Sequence, residues 1–360
     1  MGEANGGGRR GRLALVAGVV GAGLAAREVL ARRREVELTG EVALVTGGSR
    51  GLGFLLAREL ARAGCRVAIC ARDAAELERA RAALAGEGAS VLAVPCDVAD
   101  PEQVRELVGA VERHFGPVEI LINNAGIIQV GPLETMTVTD FQQAMDVMYW
   151  GAVYPSLAVL PGMRARHQGR ICTISSIGGR VSVPHLLPYA GAKFAAVGFS
   201  EGLRADVARD GVSVTTILPG LMRTGSHLNA GFKGRRGQEF TWFSLGASLP
   251  LISMDAERAA RQIVRAIKRG EAERVLSVPA TLLALIHDLL PGLTTDALAL
   301  VNRLILPDAD PQASTPLRGM TVAERYPSTR RDRATRLGRS SADRFHQYPG
   351  PRPVAVNGRE

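Results

Sequence analysis

Short apolar segments alternate with amphipathic segments along the chain after residue 40. Seven of these segments are rich in β-branched or small apolar residues without polar alternation, which is typical of strands covered on both faces. They are Val42–Val45, Val67–Cys70, Val91–Val94, Ile120–Ile122, Ile171–Ile174, Val212–Leu218 and Val275–Val278. Helical patterns lie between them, so we predict one α/β domain with a doubly wound, seven-stranded parallel sheet.

The chain divides into four segments by composition. The α/β domain is expected over residues 36–280. Residues 281–306 are strongly apolar, and Pro291-Gly292 divides them into two helices too short to span a bilayer. These helices either pack on the domain, form a dimer interface or face a membrane. Residues 307–360 contain seven Pro, four Gly and ten Arg, and we predict that they are disordered.

The N-terminal arm, residues 1–35, contains an apolar stretch between arginine clusters. Leu13–Ala26 holds fourteen apolar or glycine residues. A helix of that length is about 21 Å long, shorter than the ~30 Å hydrocarbon core. A membrane anchor, a plain helix and a cleaved signal peptide all remain open interpretations.

Charge and composition exclude several classes of protein. The 360 residues are 46% hydrophobic, which is incompatible with a disordered chain. The net charge is +9, of which residues 1–34 carry +5 and residues 307–360 carry +4. Residues 35–306 are therefore neutral, which argues against nucleic acid as a partner.

Cysteine and histidine positions predict neither disulfides nor a metal site. The four cysteines have no paired metal-ligand spacing and lie in or beside apolar segments. We expect buried thiols in a reducing compartment, the cytoplasm. The six histidines are scattered along the chain.

A glycine-rich turn follows the first predicted strand. The turn reads Thr46-Gly47-Gly48-Ser49-Arg50-Gly51-Leu52-Gly53 and leads into an amphipathic helix. Glycines at such a junction let the backbone approach a pyrophosphate, which the N–H groups and dipole at the helix N-terminus stabilise. This pattern predicts a dinucleotide site.

Further motifs give the chain a specific resemblance. Asn123-Asn124-Ala125-Gly126 follows the fourth predicted strand, and Tyr189 and Lys193 follow the fifth, with Ser176 thirteen residues before Tyr189. Together with the TGxxxGxG turn and Pro219-Gly220 followed by Thr224, this order resembles the short-chain dehydrogenase/reductase family. The resemblance covers residues 42–224 and implies a Rossmann-like fold and a nicotinamide cofactor.

The resemblance implies a set of cofactor-binding residues. They are Thr46, Gly47, Ser49, Arg50, Gly51, Leu52, Gly53, Arg72, Asp97, Val98, Asn124, Ala125, Gly126, Tyr189, Lys193, Pro219, Gly220 and Thr224. Asp97 matches the family's adenine-contacting acid, although a loop or capping aspartate is equally consistent with the sequence.

The end of the second predicted strand indicates which cofactor is bound. Ala71 stands where NAD-binding relatives carry an acid, and Arg50 and Arg72 stand where NADP-binding relatives carry basic residues. Asp73 is expected to cap the next helix. We therefore predict NADP(H) rather than NAD(H).

Ser176, Tyr189 and Lys193 are the predicted catalytic residues. Tyr189 and Lys193 are four residues apart and share one face of a helix. A tyrosine has a pKa near 10, and a nearby ammonium is expected to lower it toward neutrality. Ser176, rather than the adjacent Ser175, has the family's interval and would hydrogen-bond the substrate oxygen. By resemblance, Lys193 also holds the nicotinamide ribose, and hydride passes between nicotinamide and a carbonyl carbon.

One position departs from the family pattern. The family commonly has an asparagine three residues before the glycine that is Gly151 here, and this chain has Met148 instead. A thioether is a weak acceptor without a donor, so it does not hold the water of the family's proton relay. The sequence therefore leaves open an NADPH-binding protein of low or no turnover.

The substrate region is expected after Pro219-Gly220, over Leu221–Met254. It contains Phe232, Phe240, Trp242 and Phe243, which suit either an apolar lid over a bulky substrate or a loop that packs in the core or in a dimer interface. The leading expectation is reduction of a lipophilic carbonyl, or oxidation of the corresponding alcohol. The resemblance also implies a homodimer or homotetramer, and the apolar helices leave peripheral membrane contact open.

Overall fold

The fold comes from a computed structural model, which describes residues 35–348. The predicted N-terminal arm lies outside the described residues apart from its last residue. The central sheet has seven parallel strands in the order β7-β6-β5-β4-β1-β2-β3. In chain order they are β1 (Val42–Thr46), β2 (Arg66–Ala71), β3 (Val91–Pro95), β4 (Ile120–Asn123), β5 (Gly169–Ile174), β6 (Val212–Pro219) and β7 (Glu273–Leu276). The predicted fold class is confirmed.

Helices connect the strands and continue beyond the sheet. They are α1 (Gly51–Arg62), α2 (Ala74–Gly86), α3 (Pro101–Phe115), α4 (Val138–Met145), α5 (Gly151–Ala165), α6 (Leu187–Asp206), α7 (Arg236–Gly246), α8 (Ala256–Lys268), α9 (Val278–Leu289), α10 (Pro291–Leu304), α11 (Gly319–Arg325), α12 (Thr329–Ala334) and α13 (Arg336–Arg344). A π-helical turn over Asp146–Trp150 joins α4 to α5.

Apolar clusters cover both faces of the sheet. One cluster joins the strands to α1, α2 and α8 through residues such as Leu55, Leu77 and Ile263. The other joins them to α3, α5 and α6, with Leu107 and Met163 among its members. Two-sided burial explains why the strand sequences are apolar without alternation. β1 lies between β2 and β4, so the strand order reverses beside it, and ligands of such sheets bind at the carboxyl ends of the strands there.

A third apolar cluster lies beyond the sheet and corrects one prediction. Phe232, Phe240 and Phe243 of the loop after β6 pack with Val322 of α11 and Ala342 of α13. Residues 307–348, predicted to be disordered, instead form α11, α12 and α13, so that prediction is wrong over this range. The segment has few apolar residues of its own, and the aromatic residues of the loop complete its core.

Short strands strengthen this region. Gly231–Phe232 pairs in parallel with Gln129–Val130 and antiparallel with Leu317–Arg318. Met222–Arg223 pairs with Met254–Asp255. The C-terminal segment is thus hydrogen-bonded to the loop that it covers.

α9 and α10 form the predicted pair of short helices, with the break at Leu290. Their apolar side chains are largely exposed, including Leu282, Leu285, Leu289 and Leu293. Across residues 35–348, every helix is too short or too polar to span a bilayer.

Candidate active site

The glycine-rich turn lies between β1 and α1, where two close approaches and two positive φ angles require glycine. A Cβ on Gly53 would collide with the carbonyl oxygen of Gly47, and a Cβ on Gly48 would lie 2.7 Å from Ile69. Gly47 and Gly51 have φ of +65° and +58°, in the left-handed region that favours glycine. Arg50 is the extended N-cap residue of α1 and makes no side-chain cap bond. The turn therefore brings main-chain groups to a helix N-terminus, as a pyrophosphate site requires, but Gly51 is buried and its N–H donates to the Phe345 carbonyl oxygen at 2.8 Å.

Side chains of the predicted site tie this turn to the end of β4. The Thr46 hydroxyl accepts hydrogen bonds from the main-chain N–H groups of Asn124 and Ala125, at 3.0 and 3.1 Å. The Asn124 amide donates to the carbonyl oxygens of Thr46 and Gly47, at 3.0 and 3.2 Å. These bonds fix the two loops that flank the point where the strand order reverses.

The predicted basic residues lie at this end of the sheet in different environments. The Arg50 guanidinium forms an ion pair with Glu76 of α2, whose side chain is buried. Arg72 is exposed. The Asp73 side chain accepts from the main-chain N–H of Glu76 at 2.9 Å, which confirms it as the N-cap of α2.

The residues after β3 have local structural roles. Asp97 is half-buried, and its carboxylate accepts from the main-chain N–H of Ala99 at 3.1 Å. Val98 is buried and packs so closely on Gly151 that a Cβ there would lie 2.7 Å away. Asp97 is thus a loop aspartate, and the N-cap of α3 is Asp100.

The turn after β6 brings Pro219, Gly220 and Thr224 to the same end of the sheet. The Gly220 N–H donates to the Leu276 carbonyl oxygen at 3.2 Å, and a Cβ on Gly220 would lie 2.9 Å from the Cβ of Ala280. α9 therefore begins directly beside this turn. Thr224 is buried, and its hydroxyl accepts from the Ser226 N–H at 3.3 Å.

Ser176, Tyr189 and Lys193 come together beside these turns. The Ser176 and Tyr189 side chains are close neighbours on either side of Gly178. A Cβ on Gly178 would lie 3.1 Å from the Tyr189 ring and 3.4 Å from the Ser176 hydroxyl. The Lys193 ammonium lies 5.9 Å from the centre of the Tyr189 ring and donates to the Ile174 carbonyl oxygen at 2.7 Å.

The alternative serine has a structural role. The Ser175 hydroxyl is buried and donates to the main-chain carbonyl of Lys193 at 2.9 Å. This bond fixes α6 against the end of β5, whereas the Ser176 hydroxyl faces Tyr189. The geometry therefore favours Ser176 as the residue that meets a substrate.

The pKa shifts of Tyr189 and Lys193 differ from those that the sequence predicts. Burial raises the pKa of Tyr189, and the hydrogen bond from Ser176 opposes that rise. Burial also lowers the pKa of Lys193 to about 8. The sequence predicted a lowered pKa for Tyr189, and the structure gives a raised one, because burial of the phenol outweighs the effect of Ser176.

Met148 lies in the π-helical turn and is buried close to Gly126. A Cβ on Gly126 would lie 3.6 Å from the Met148 sulfur and 3.8 Å from the Lys193 ammonium nitrogen. The thioether and the lysine thus both lie near Gly126, and the thioether stands at the position where the family pattern has an amide. π-helical turns within helices often occur at functional sites.

A buried polar cluster near the catalytic helix was missed by the sequence analysis. The Glu239 carboxylate of α7 contacts the His185 ring at 2.8 Å and accepts from the Trp242 indole N–H at 2.7 Å. His185 lies four residues before Tyr189. The cluster therefore anchors the loop after β6, called here the aromatic loop for its Phe232, Phe240, Trp242 and Phe243, beside the site. Its only sequence signal was a histidine close to the tyrosine.

The aromatic loop itself is packed. Phe232, Phe240 and Phe243 are buried in the third cluster, as the packed-loop interpretation requires. The exposed apolar residues of the loop lie elsewhere, at Leu221, Leu249, Leu251 and Ile252.

The glycine spacing is that of a dinucleotide-binding turn, and the Lys193 ammonium, which donates to the Ile174 carbonyl oxygen, lies at the same edge of the sheet. The face of Gly51 is covered by the Gln347 side chain, and the Gly51 N–H donates to the Phe345 carbonyl oxygen. For residues 35–348, no group of three or more His, Cys, Asp or Glu side chains could hold a metal ion.

The chain is similar in sequence to known proteins. Residues 41–231 match the family model described as short chain dehydrogenase. A Dehydrogenase/reductase SDR family protein 7-like from Anopheles gambiae is 36% identical over 253 residues, 68% of this chain and 78% of that protein. An 11-beta-hydroxysteroid dehydrogenase-like 2 from Arabidopsis thaliana is 33% identical over 238 residues, 65% of this chain and 73% of that protein.

The solved structures give the same fold. A short-chain type dehydrogenase/reductase from Mycobacterium marinum superposes with a TM-score of 0.59 at 24% identity. The match covers 68% of this chain and 96% of that one.

Proposed function

Because the chain belongs to the short-chain dehydrogenase/reductase family and is an oxidoreductase of that type, we propose that it uses NADP(H) to interconvert a lipophilic carbonyl compound and its alcohol. The observation that carries the proposal is the meeting of Ser176, Tyr189 and Lys193 beside the glycine-rich turn. The nicotinamide supplies or accepts the hydride.

Ser176, Tyr189 and Lys193 have different roles in this reaction. Ser176 hydrogen-bonds the substrate oxygen as negative charge develops on it. The Tyr189 hydroxyl donates its proton to that oxygen in reduction and takes it back in oxidation. Lys193 binds the cofactor's ribose, and its ammonium lies 5.9 Å from the centre of the Tyr189 ring.

The preference for NADP(H) rests on charge. Ala71, at the end of β2, places no carboxylate near a 2′-phosphate, and Arg50 and Arg72 lie at the same end of the sheet. Glu76 already pairs with Arg50. A 2′-phosphate would share this guanidinium, whose planar fork can serve two anions.

The proposal of a lipophilic substrate is based on the apolar surface beside the site. Arg180, four residues after Ser176, forms two hydrogen bonds to Asp288 of α9, at 3.0 and 2.9 Å. α9 therefore stays docked on the catalytic loop, with Leu282, Leu285 and Leu289 exposed. A plant relative is named for a hydroxysteroid dehydrogenase, which is consistent with this substrate class.

The same surface could serve peripheral contact with a membrane or the subunit contact of a homodimer or homotetramer. Exchange of Leu285 and Leu289 for serine distinguishes these from a substrate role. A loss of vesicle binding supports the first, and a smaller mass by size exclusion supports the second. A raised KM for lipophilic ketones alone supports substrate contact.

Substrate screening tests the proposal. NADPH oxidation is followed by absorbance with a panel of lipophilic ketones and aldehydes, and gluconate-like polar ketones serve as the contrast. Turnover that rises with substrate hydrophobicity supports the proposal. NADPH binding without turnover on any compound contradicts it.

A second candidate function is cofactor binding with little turnover, which is favoured by the buried Met148 thioether near Gly126, at the position where the family pattern has an asparagine. An asparagine there would supply the amide that the family pattern has. If Met148→Asn confers turnover on a protein that binds NADPH but is otherwise inactive, the second candidate is supported. If the wild-type chain turns over rapidly, that candidate is excluded.

A further inference from the structure

Residues 345–347, called here the C-terminal strap, lie directly over the glycine-rich turn. The Phe345 carbonyl oxygen accepts a 2.8 Å hydrogen bond from the Gly51 N–H. A Cβ on Gly51 would lie 2.6 Å from the Gln347 Nε2, so the side chain of the strap covers the same glycine. The strap therefore fills the space in front of Gly51 with a main-chain carbonyl and a side-chain amide.

The covered position is the one that a dinucleotide needs. Gly51 is the second glycine of the TGxxxGxG turn and the first residue of α1. In dinucleotide-binding turns, the second glycine lets bare backbone approach the pyrophosphate, and the first N–H groups of the helix bind its oxygens. Because the Gly51 N–H is bonded to Phe345 and its face is covered by Gln347, the strap and a pyrophosphate exclude each other here.

The strap is held by an apolar anchor at one end and by a few hydrogen bonds at the other. The Phe345 side chain is 1% exposed and belongs to the same apolar cluster as α1 and α8. The Asn229 amide nitrogen donates to the main-chain oxygen and to the side-chain oxygen of Gln347, each at 2.8 Å. The Gln347 N–H donates to the Ala342 carbonyl oxygen at 3.1 Å. Loss of these polar bonds would free Gln347 while Phe345 keeps the segment attached.

The backbone of the strap is held in an unfavourable conformation. His346 has φ of +57°, in the left-handed region that favours glycine. Its ring packs 4.5 Å from the Phe54 ring of α1. A residue in this region persists only where its surroundings hold it there, so the strap depends on its contacts rather than on local preference.

We propose that the C-terminal strap is an autoinhibitory contact, which occupies the pyrophosphate position and has to leave Gly51 before a nicotinamide dinucleotide binds. This inference rests on the proposed use of such a cofactor. When only the open fraction of a protein binds, the apparent dissociation constant rises by the inverse of that fraction. A segment more than a hundred residues beyond the family match, which ends at residue 231, thus sets the affinity for the cofactor.

The test is Gln347→Ala, measured as the dissociation constants of NADPH and NADH by fluorescence titration. The alanine uncovers the face of Gly51 and removes one of the bonds to Asn229. We expect both cofactors to bind about fivefold more tightly or better, and by the same factor, because the pyrophosphate is common to both. The affinity for adenosine 2′-monophosphate, which lacks the pyrophosphate, should not change.

Three further variants complete the binding experiment. Asn229→Ala releases Gln347 from the other side and should also tighten binding, which keeps the test open if the first variant fails to fold. Gln347→Glu places a carboxylate at the N-terminus of α1, which stabilises the strap, and should weaken the binding of both cofactors. Gln312→Ala makes the alanine exchange at an exposed position of the C-terminal segment and should leave both constants unchanged.

Hydrogen exchange of the wild-type chain, followed by mass spectrometry, gives an independent readout. The bond from the Gln347 N–H to Ala342 should break when the strap leaves. Saturating NADPH should therefore speed exchange in the peptide that contains residues 345–347. A strap that only supports the fold would show unchanged or slower exchange.

The outcomes separate this inference from the proposed function. If neither the wild-type chain nor any variant binds NADPH or NADH, the proposed function fails, and this inference fails with it. If the wild-type chain binds them, and Gln347→Ala and Asn229→Ala bind no more tightly, the inference alone is overturned. Slower exchange of the strap with NADPH bound also overturns it, because the strap would then close on the cofactor.

Discussion

The ammonium of Lys193 donates a 2.7 Å hydrogen bond to the carbonyl oxygen of Ile174, the last residue of β5. The Ser175 hydroxyl donates in turn to the main-chain carbonyl of Lys193 at 2.9 Å. Two bonds thus join α6 to the strand that precedes Ser176. They fix the rotation of the helix, so that Tyr189 faces Ser176.

Burial of the Lys193 ammonium should lower the free energy of unfolding. Burial lowers the pKa of Lys193 from 10.5 to about 8, so between those values the unfolded chain binds the proton and the folded chain does not. Stability therefore rises with pH through this window, and the cost is fully present below pH 8. We expect Lys193→Met to raise the free energy of unfolding at pH 7 by about 1–3 kcal/mol while abolishing activity.

Urea unfolding at pH 7 and pH 10 measures this effect. The gain should shrink at the higher pH, and Lys268→Met, a change at a partly exposed lysine paired with Glu37, should give no such gain. A variant less stable than the wild type at pH 7 would contradict the explanation.

Arg50 and Arg72 should govern the choice of cofactor. A guanidinium that meets the 2′-phosphate affects NADPH and leaves NADH nearly untouched. We expect Arg50→Ala and Arg72→Ala each to weaken NADPH binding by about tenfold, since a hydrogen bond to a charged group contributes about 1.5–3 kcal/mol. Fluorescence titration with both cofactors checks this, with Arg105→Ala on the exposed face of α3 as the control. Equal losses for NADPH and NADH would refute the assignment.

Asp140 and Lys233 form a buried ion pair that holds the loop after β6. The Lys233 ammonium contacts the Asp140 carboxylate at 2.5 Å, and both side chains are buried. Asp140→Ala leaves the ammonium without its counter-ion, so we expect a loss of about 3–5 kcal/mol in unfolding free energy. The double variant Asp140→Leu with Lys233→Met should recover most of the unfolding free energy that Asp140→Ala loses. A loss below about 1 kcal/mol for the single variant would show that the pair is unimportant.

His227 should make the C-terminal segment sensitive to acid. Burial lowers its pKa to about 4, and Arg339 and Arg331 add to the effect. Above pH 6.5 the ring is neutral in both states and its contribution to stability is complete. As the pH falls from 6.5 toward 4, the unfolded chain takes up the proton first, and up to about 3 kcal/mol is lost.

Unfolding titrations at pH 7 and pH 5 detect this loss. His227→Leu should reduce the difference between the two pH values, whereas His114→Leu, at an exposed histidine of α3, should retain it. An unchanged pH dependence in the His227 variant would exclude this histidine as the cause.

The sheet was predictable because its strands are buried on both faces. Val67–Cys70 and Ile120–Ile122 carry no polar position, so their place in a parallel sheet is encoded locally. Asp73 was likewise identified as a cap from its neighbours alone. The turn from Thr46 to Gly53 could be read because close approaches demand glycine at fixed intervals.

Long-range packing was not predictable in the same way. Val322 and Phe345 lie in a polar, arginine-rich segment, and their burial depends on Phe240 and on α1, which are distant in the chain. The direction of the Tyr189 pKa also depends on desolvation, which the spacing of Tyr189 and Lys193 does not reveal.

The central claim is that the Tyr189 hydroxyl transfers the proton while the dinucleotide is held by other residues. The most direct measurement compares turnover and NADPH affinity in Tyr189→Phe. We predict that turnover falls by at least about a hundredfold, the usual contribution of general acid catalysis, while the dissociation constant of NADPH changes by less than about threefold. Turnover close to that of the wild type in this variant would contradict the account.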